Sequence, residues 1–294
     1  IYNGSPSTID DNDYNYCFAV SNSGTVYRGH EITGGSWPIS NTSYNGTTAY
    51  WETLYDLDIS DSENRIYFWR NASGGKIGYW DLSSNSEVML FNPDGSYNYS
   101  TSYKEQVVRH KDGIVYFNEG KTLFSIESNA NNLIIISSST DNKDITGIVP
   151  LVFNYQNTNT NTTSINISNF IGSNNKKILF STEKTIYLTD SVGSFLSSIY
   201  SVNNDMIGCL TSNTNGDTLY FLQASGSTAV PSIMMITINN LNPIIVGSVP
   251  SQFSEIKQFK YSNGKFYYIR NQDALQIYNG SPSTIDDNDY NYCF

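Results

Sequence analysis

The chain has 294 residues, of which only 15% are charged, and its 27 Asp and Glu against 16 Lys and Arg give a net charge of −11. That balance repels polyphosphate, so nucleic acid and anionic membranes are excluded as expected partners. No stretch approaches eighteen consecutive apolar residues, which leaves no candidate membrane span.

Abundant Tyr (23) and Phe (14) suit pleated strands, while 36 Asn, 64 Ser plus Thr and 21 Gly supply turns. Segments with a helical apolar period are hard to find, so the chain reads as all-β. In chain order, six hairpin signatures follow one another: YCFAVSNSGTVYRG, LYDLDISDSENRIYFW, VVRHKDGIVYF, FIGSNNKKILF, IGCLTSNTNGDTLYF and QFKYSNGKFYYIR. Each has a first strand, a turn rich in Asn, Asp and Gly, and a second strand centred on an apolar pair. The pairs are Val26-Tyr27, Ile66-Tyr67, Val115-Tyr116, Ile178-Leu179, Leu219-Tyr220 and Phe266-Tyr267. Third strands are expected at KIGYWDL, KTLFSIE, KTIYLTD, SIMMITI and ALQIYNG, and fourth strands at EVMLF, LIIIS, FLSSIYS and PIIVG. The outer strands of the first unit must lie within SWPISNTSYNGTTAYWETL, and the polar insert NYQNTNTNTTSINIS in the fourth unit reads as a surface loop.

Four strands recurring at this interval are the pattern of propeller blades. The chain resembles the six-bladed β-propellers of the TolB-like and YWTD type. That resemblance implies four-stranded antiparallel blades in a ring.

Residues 1–18, IYNGSPSTIDDNDYNYCF, recur unchanged as residues 277–294, so the unit is 276 residues long. The expected domain is therefore a single propeller over 1–276, with 277–294 starting a next repeat. The string falls where the ring must close, with Ile1, Tyr2, Tyr16, Cys17 and Phe18 as the closing residues. An exact repeat suggests a tandem array of such units, with an engineered or permuted overlap as the alternative.

Chemistry-bearing patterns are few. Both histidines, His30 and His110, read as surface or channel residues, and no nucleophile triad, phosphate loop or HExxH motif occurs. The acidic run Asp10, Asp11, Asn12, Asp13 lacks the alternation and distal Glu of a calcium loop, so no metal and no cofactor is expected. Cys17 and Cys209 read as small buried hydrophobes, with a bridge between them as the lesser option. Tyr14, Tyr16, Trp37, Trp51, Trp69, Tyr79 and Trp80 read as packing residues, with a sugar-binding surface as the alternative. Asn41, Asn45, Asn71, Asn98, Asn161 and Asn166 head N-x-S/T triplets and are the glycosylation candidates, with Asn41, Asn45, Asn161 and Asn166 expected in loops. Composition alone yields about eight such triplets, so their number decides nothing.

The expectation from sequence is a non-enzymatic structural unit of an extracellular or cell-surface fibre, touching neighbouring copies head to tail and possibly glycans. A secreted carbohydrate- or protein-binding propeller is the alternative, and a glycosidase the least supported.

Overall fold

The structure, a computed structural model, describes residues 14–31, 39–40, 45–46, 53–71, 76–91, 107–127, 133–151, 177–194, 196–213, 216–237, 240–270, 274–278 and 282–284. Among these residues there is no α-helix, and the only helical piece is a single 3-10 turn at Phe253–Glu255. The strands form six antiparallel sheets of four. The first sheet holds β1 (Tyr14–Val20), β2 (Val26–Glu31), β3 (Ile39–Ser40) and β4 (Asn45–Gly46). The second holds β5 (Thr53–Ile59), β6 (Arg65–Asn71), β7 (Lys76–Asp81) and β8 (Ser86–Phe91). The third holds β9 (Val108–Lys111), β10 (Ile114–Glu119), β11 (Thr122–Glu127) and β12 (Leu133–Ser138). The fourth holds β13 (Gly147–Leu151), β14 (Lys177–Ser181), β15 (Thr185–Asp190) and β16 (Leu196–Ser201). The fifth holds β17 (Met206–Ser212), β18 (Thr218–Ala224), β19 (Ser232–Thr237) and β20 (Asn240–Ser248). The sixth holds β21 (Ile256–Ser262), β22 (Lys265–Arg270), β23 (Ala274–Tyr278) and β24 (Pro282–Thr284).

Turn chemistry sets the hairpins. Between β9 and β10 only Asp112 and Gly113 intervene, at φ 49° and 78°, and between β21 and β22 only Asn263 and Gly264, at φ 48° and 76°. Two successive positive φ values give the turn whose twist matches the flanking strands, and Asn, Asp and Gly tolerate it best.

The first strand of each sheet, its lead strand, touches the lead strand of the next, in the order β1, β5, β9, β13, β17, β21, and β21 in turn touches β1. The core lies between the sheets as a succession of apolar layers. Leu54, Leu57 and Phe68 pack with Cys17, Ala19 and Tyr27. Tyr67, Trp69 and Ile77 pack with Val108, Val115 and Phe117. Further layers join the third sheet to the fourth, the fourth to the fifth and the fifth to the sixth. Phe18 packs with Tyr267 and Ile269, joining the sixth sheet to the first. Trp69, Tyr79 and Trp80 are all buried, as packing residues should be.

One hairpin differs from its expected form. β14 pairs with β13, Ile148 opposite Phe180 and Leu151 opposite Lys177, and not with the segment FIGSNN just before it. Residues 152–176, which contain the polar insert, therefore separate the two strands of a single hairpin. Asn45 lies within β4 rather than in a loop, and Asn71 is the last residue of β6. Asn41, Asn98, Asn161, Asn166, Ile1 and Tyr2 lie outside the described residues. Cys17 is buried, Cys209 is half-buried, and neither is in a disulfide.

Candidate functional site

Lead strands offer one backbone edge to their own hairpin partner and the other to the molecule's interior, where N–H groups need acceptors. The sequence supplies them as side chains on the preceding lead strand or in the turn that follows it. Asp56 Oδ2 accepts from Val108 N at 3.0 Å, Asp58 Oδ2 from His110 N at 2.8 Å, and Asp61 Oδ2 from Asp112 N at 3.0 Å. The alternation of Asp56 and Asp58 along β5 thus matches the alternation of inward N–H groups on β9. The same rule recurs where Thr211 Oγ1 accepts from Tyr261 N at 3.1 Å, and where Gln258 Oε1 accepts from Phe18 N at 2.8 Å.

Bulges aim two of these side chains. The register slips between Asn15 and Cys17, between Leu54 and Asp56, and between Ile256 and Gln258, so Cys17, Asp56 and Gln258 occupy equivalent places just after a bulge. An extra residue at that point bends the strand and turns the next side chain inward.

Asp56 is the hub of the result. Its side chain is 2% exposed and meets Arg109 Nη1, Gln258 Nε2 at 2.6 Å, Leu57 N at 2.9 Å and, at 3.5 Å, Lys260 Nζ. Lys260 also donates to Leu57 O and lies 5.5 Å from the centre of the Phe18 ring. Burial lowers the Lys260 pKa, with Asp56 opposing that shift, and it raises the cost of losing the carboxylate partner. Arg109 moves the other way: burial pulls its pKa down, but Asp56 and Asp58 more than offset this and hold it above the usual value.

Above this hub opens a cavity of about 170 Å³. One equivalent position per sheet defines its level, the residue opposite the second member of each apolar pair: Ala19, Asp58, Arg109, Val149, Thr211 and Lys260. All but Ala19 line the cavity, together with Asp61, His110 and Lys111. The charge is one-sided. It comes from the second, third and sixth sheets, while the fourth and fifth contribute Val149 and Thr211. Lys111 Nζ is 2.7 Å from Asp61 Oδ1, closing a half-exposed ion pair at the cavity rim.

His110 stacks on Tyr67 with ring centres 4.4 Å apart and planes 5° from parallel, and its Nδ1 is buried without a hydrogen-bond partner. Burial lowers its pKa below 6.5, against the opposing pull of Asp58 and Asp61, with Lys111 lowering it further and Asp112 raising it. Between its folded pKa and 6.5 the unfolded chain binds more protons, so this group's share of stability is complete above pH 6.5 and is lost as pH falls through that window. A proton NMR titration is expected to give a midpoint below 6.5 for His110, and His110→Gln to remove that pH dependence. A midpoint at or above 6.5 contradicts the assignment.

Among the described residues no group of three or more His, Cys, Asp or Glu side chains is arranged to hold a metal ion. No helix of the described residues is long and apolar enough to cross a membrane. The side chain of Tyr16 lies outside the description, whereas Cys17 and Phe18 are both buried in β1.

No protein-family profile and no curated protein sequence matches the chain. Solved structures do. An oligogalacturonate lyase from Vibrio parahaemolyticus superposes with a TM-score of 0.59 at 11% identity, over 96% of this chain and 81% of the other. A chain of the nidogen/laminin complex gives 0.57 at 8%, over 93% and 92%. The GH74 enzyme of Niastella koreensis gives 0.56 at 12%, over 92% and 45%. The fold is of the β-propeller type.

These neighbours correct the expectation that the chain is not an enzyme, because a lyase and a GH74 enzyme share this fold, which therefore gives no ground for excluding an activity. Nor does the lack of a local catalytic motif exclude one. Motif searches test residues close in sequence, whereas this fold gathers Asp58, Arg109, His110 and Lys260 from three sheets spread over some two hundred residues.

Proposed function

We propose that the six sheets are blades of one closed ring, and that this ring is a repeat unit of a longer extracellular or surface-exposed chain of successive propellers. The observation that carries the reading is the double use of one string. Its first copy supplies Tyr14–Phe18 of β1 in the first sheet, and its second copy supplies the end of β23 and all of β24 in the sixth. A sequence that both completes a last blade and opens a first one is what a periodic chain needs at each boundary. Closure is supported by the junction of β21 with β1, which repeats the pattern of the β5–β9 and β17–β21 junctions: a side-chain acceptor on one lead strand, Gln258, takes an N–H of the next, Phe18. Ser262 Oγ adds a bond to Ser21 O at 3.0 Å. An outward location agrees with the weakly charged, Asn-rich composition and with the available N-x-S/T acceptors. Electron microscopy of the native material is expected to find threads of ring-shaped beads with one bead per 276 residues of mass. Isolated single rings from a gene holding one unit overturn the array.

A second reading is favoured by the cavity. Asp58, Arg109, His110 and Lys260 converge on a pocket at the mouth of the ring, and perturbed titratable groups in a concave site are the usual mark of binding or catalysis. In this reading the ring acts on, or holds, an acidic saccharide, as the name of the lyase neighbour suggests. Incubation with oligogalacturonate, followed by the ultraviolet absorbance of an unsaturated sugar, tests it. Product that disappears in Asp58→Asn supports turnover at this pocket, and absence of both binding and product removes the reading.

A further inference from the structure

Every residue from 1 to 18 has its twin 276 positions later; of the first copy the described residues are Tyr14–Phe18, in β1, and of the second Ile277, Tyr278 and Pro282–Thr284, in β23 and β24. β23 begins at Ala274, three residues before the duplicated string, and pairs with β22 from Arg270 opposite Ala274 to Phe266 opposite Tyr278. β24 then returns along β23, with Tyr278 opposite Pro282 and Gln276 opposite Thr284. The second copy is thus joined to β22 through its own hairpin, and Ala274, Leu275 and Gln276 fix its register. Five residues, Ile285 to Asp289, follow Thr284 before the string YNYCF of residues 290–294, which is identical to the opening of β1. Within the ring that place is already taken, because β1 is held between β2, β5 and β21.

Resting on the tandem-array reading, we infer that residues 277–284 complete the sixth blade of their own ring and that residues 290–294 begin the first blade of the following ring. Five residues are then the whole connection between beads. Fully extended, they span about 20 Å. Within this chain, outer strands pass to the next lead strand through connections of similar length: residues 202–205 between β16 and β17, and 249–255 between β20 and β21. The following ring must therefore start its first strand about as close to the sixth blade as a neighbouring blade would. Successive rings pack against each other instead of swinging on long tethers, and no blade is exchanged between them.

Paired substitutions in the two copies test this in the 294-residue protein. Ile277→Pro removes a ladder position of β23 and is expected to lower the melting temperature by about 5 °C, while Ile1→Pro changes it by no more than about 1 °C. Phe294→Asp is expected to leave the single ring's melting temperature unchanged, and in a chain of two consecutive periods to split melting into two transitions, one at the wild-type temperature. Equal effects of Ile1→Pro and Ile277→Pro, or a lowered melting temperature for Phe294→Asp in the 294-residue protein, overturn the assignment. A gene holding a single unit removes the link between rings together with the array reading. The contrast between Ile1 and Ile277 decides independently which copy completes the sixth blade.

Discussion

Asp56→Ala is expected to destabilise the protein by about 3–5 kcal/mol, the range found when one partner of a buried ion pair is removed. Two cations, the Arg109 guanidinium and the Lys260 ammonium, lose their acceptor at once, together with the Gln258 amide and the backbone N–H groups of Val108 and Leu57. The cations lie in a setting where Lys260 is only 9% exposed, so water cannot replace the carboxylate. For a chain of this size the loss corresponds to a fall in melting temperature on the order of 10 °C. Asp56→Asn separates the contributions, since it keeps an oxygen for Val108 N but removes the charge. It is expected to retain a smaller part of the stability. A melting temperature within about 2 °C of wild type for Asp56→Ala would show that the cluster does not hold the lead strands together.

Phe18→Ala is the second large effect, also expected at about 3–5 kcal/mol, from lost burial plus the cavity left behind. Phe18 has no exposed surface, its ring packs on Tyr267 and Ile269 of the sixth sheet, and its backbone N–H bonds to Gln258. Those contacts join the two ends of the sheet succession, separated in sequence by 240 residues. Under the proposed closure, loss of the contact is expected to separate the sixth sheet from the first before any other pair, so limited proteolysis should cut the sixth sheet of Phe18→Ala first. Cleavage spread evenly over all sheets would mean that the β21–β1 junction has no separate role.

Much of this architecture is legible in the sequence because each hairpin carries its own local code. Turn residues with positive φ, such as Asn263 and Asp112, and the apolar pairs at Tyr27, Tyr67, Tyr116, Leu179, Tyr220 and Tyr267 fix both the hairpins and their registers. The positions opposite those pairs could have been read as inward-facing, which would have singled out Asp58, Arg109 and Lys260. The fourth hairpin escaped because residues 152–176 interrupt it, and a strand such as Gly147–Leu151, with Pro150 inside it, lacks the alternation that advertises pairing. The Asp56 hub was not legible. Apart from the adjacent Leu57 N–H, its partners run from Val108, 52 residues away, to Gln258 and Lys260 in the sixth sheet, the former 202 residues away, and its aim depends on a bulge that no residue type encodes by itself. Likewise, the absence of catalytic motifs said little about catalysis, since a propeller builds its central site from residues that sequence keeps apart.

The central claim is that the sheets form one ring of six closed between β21 and β1 within a single 276-residue unit. Single-particle electron microscopy of the isolated 294-residue protein, viewed down the axis of the lead strands, tests it most directly. Six lobes around a central opening, with continuous density where Phe18 meets Tyr267, is the result this account requires. An open arc, a different number of lobes, or rings that appear only as exchanged dimers would contradict it.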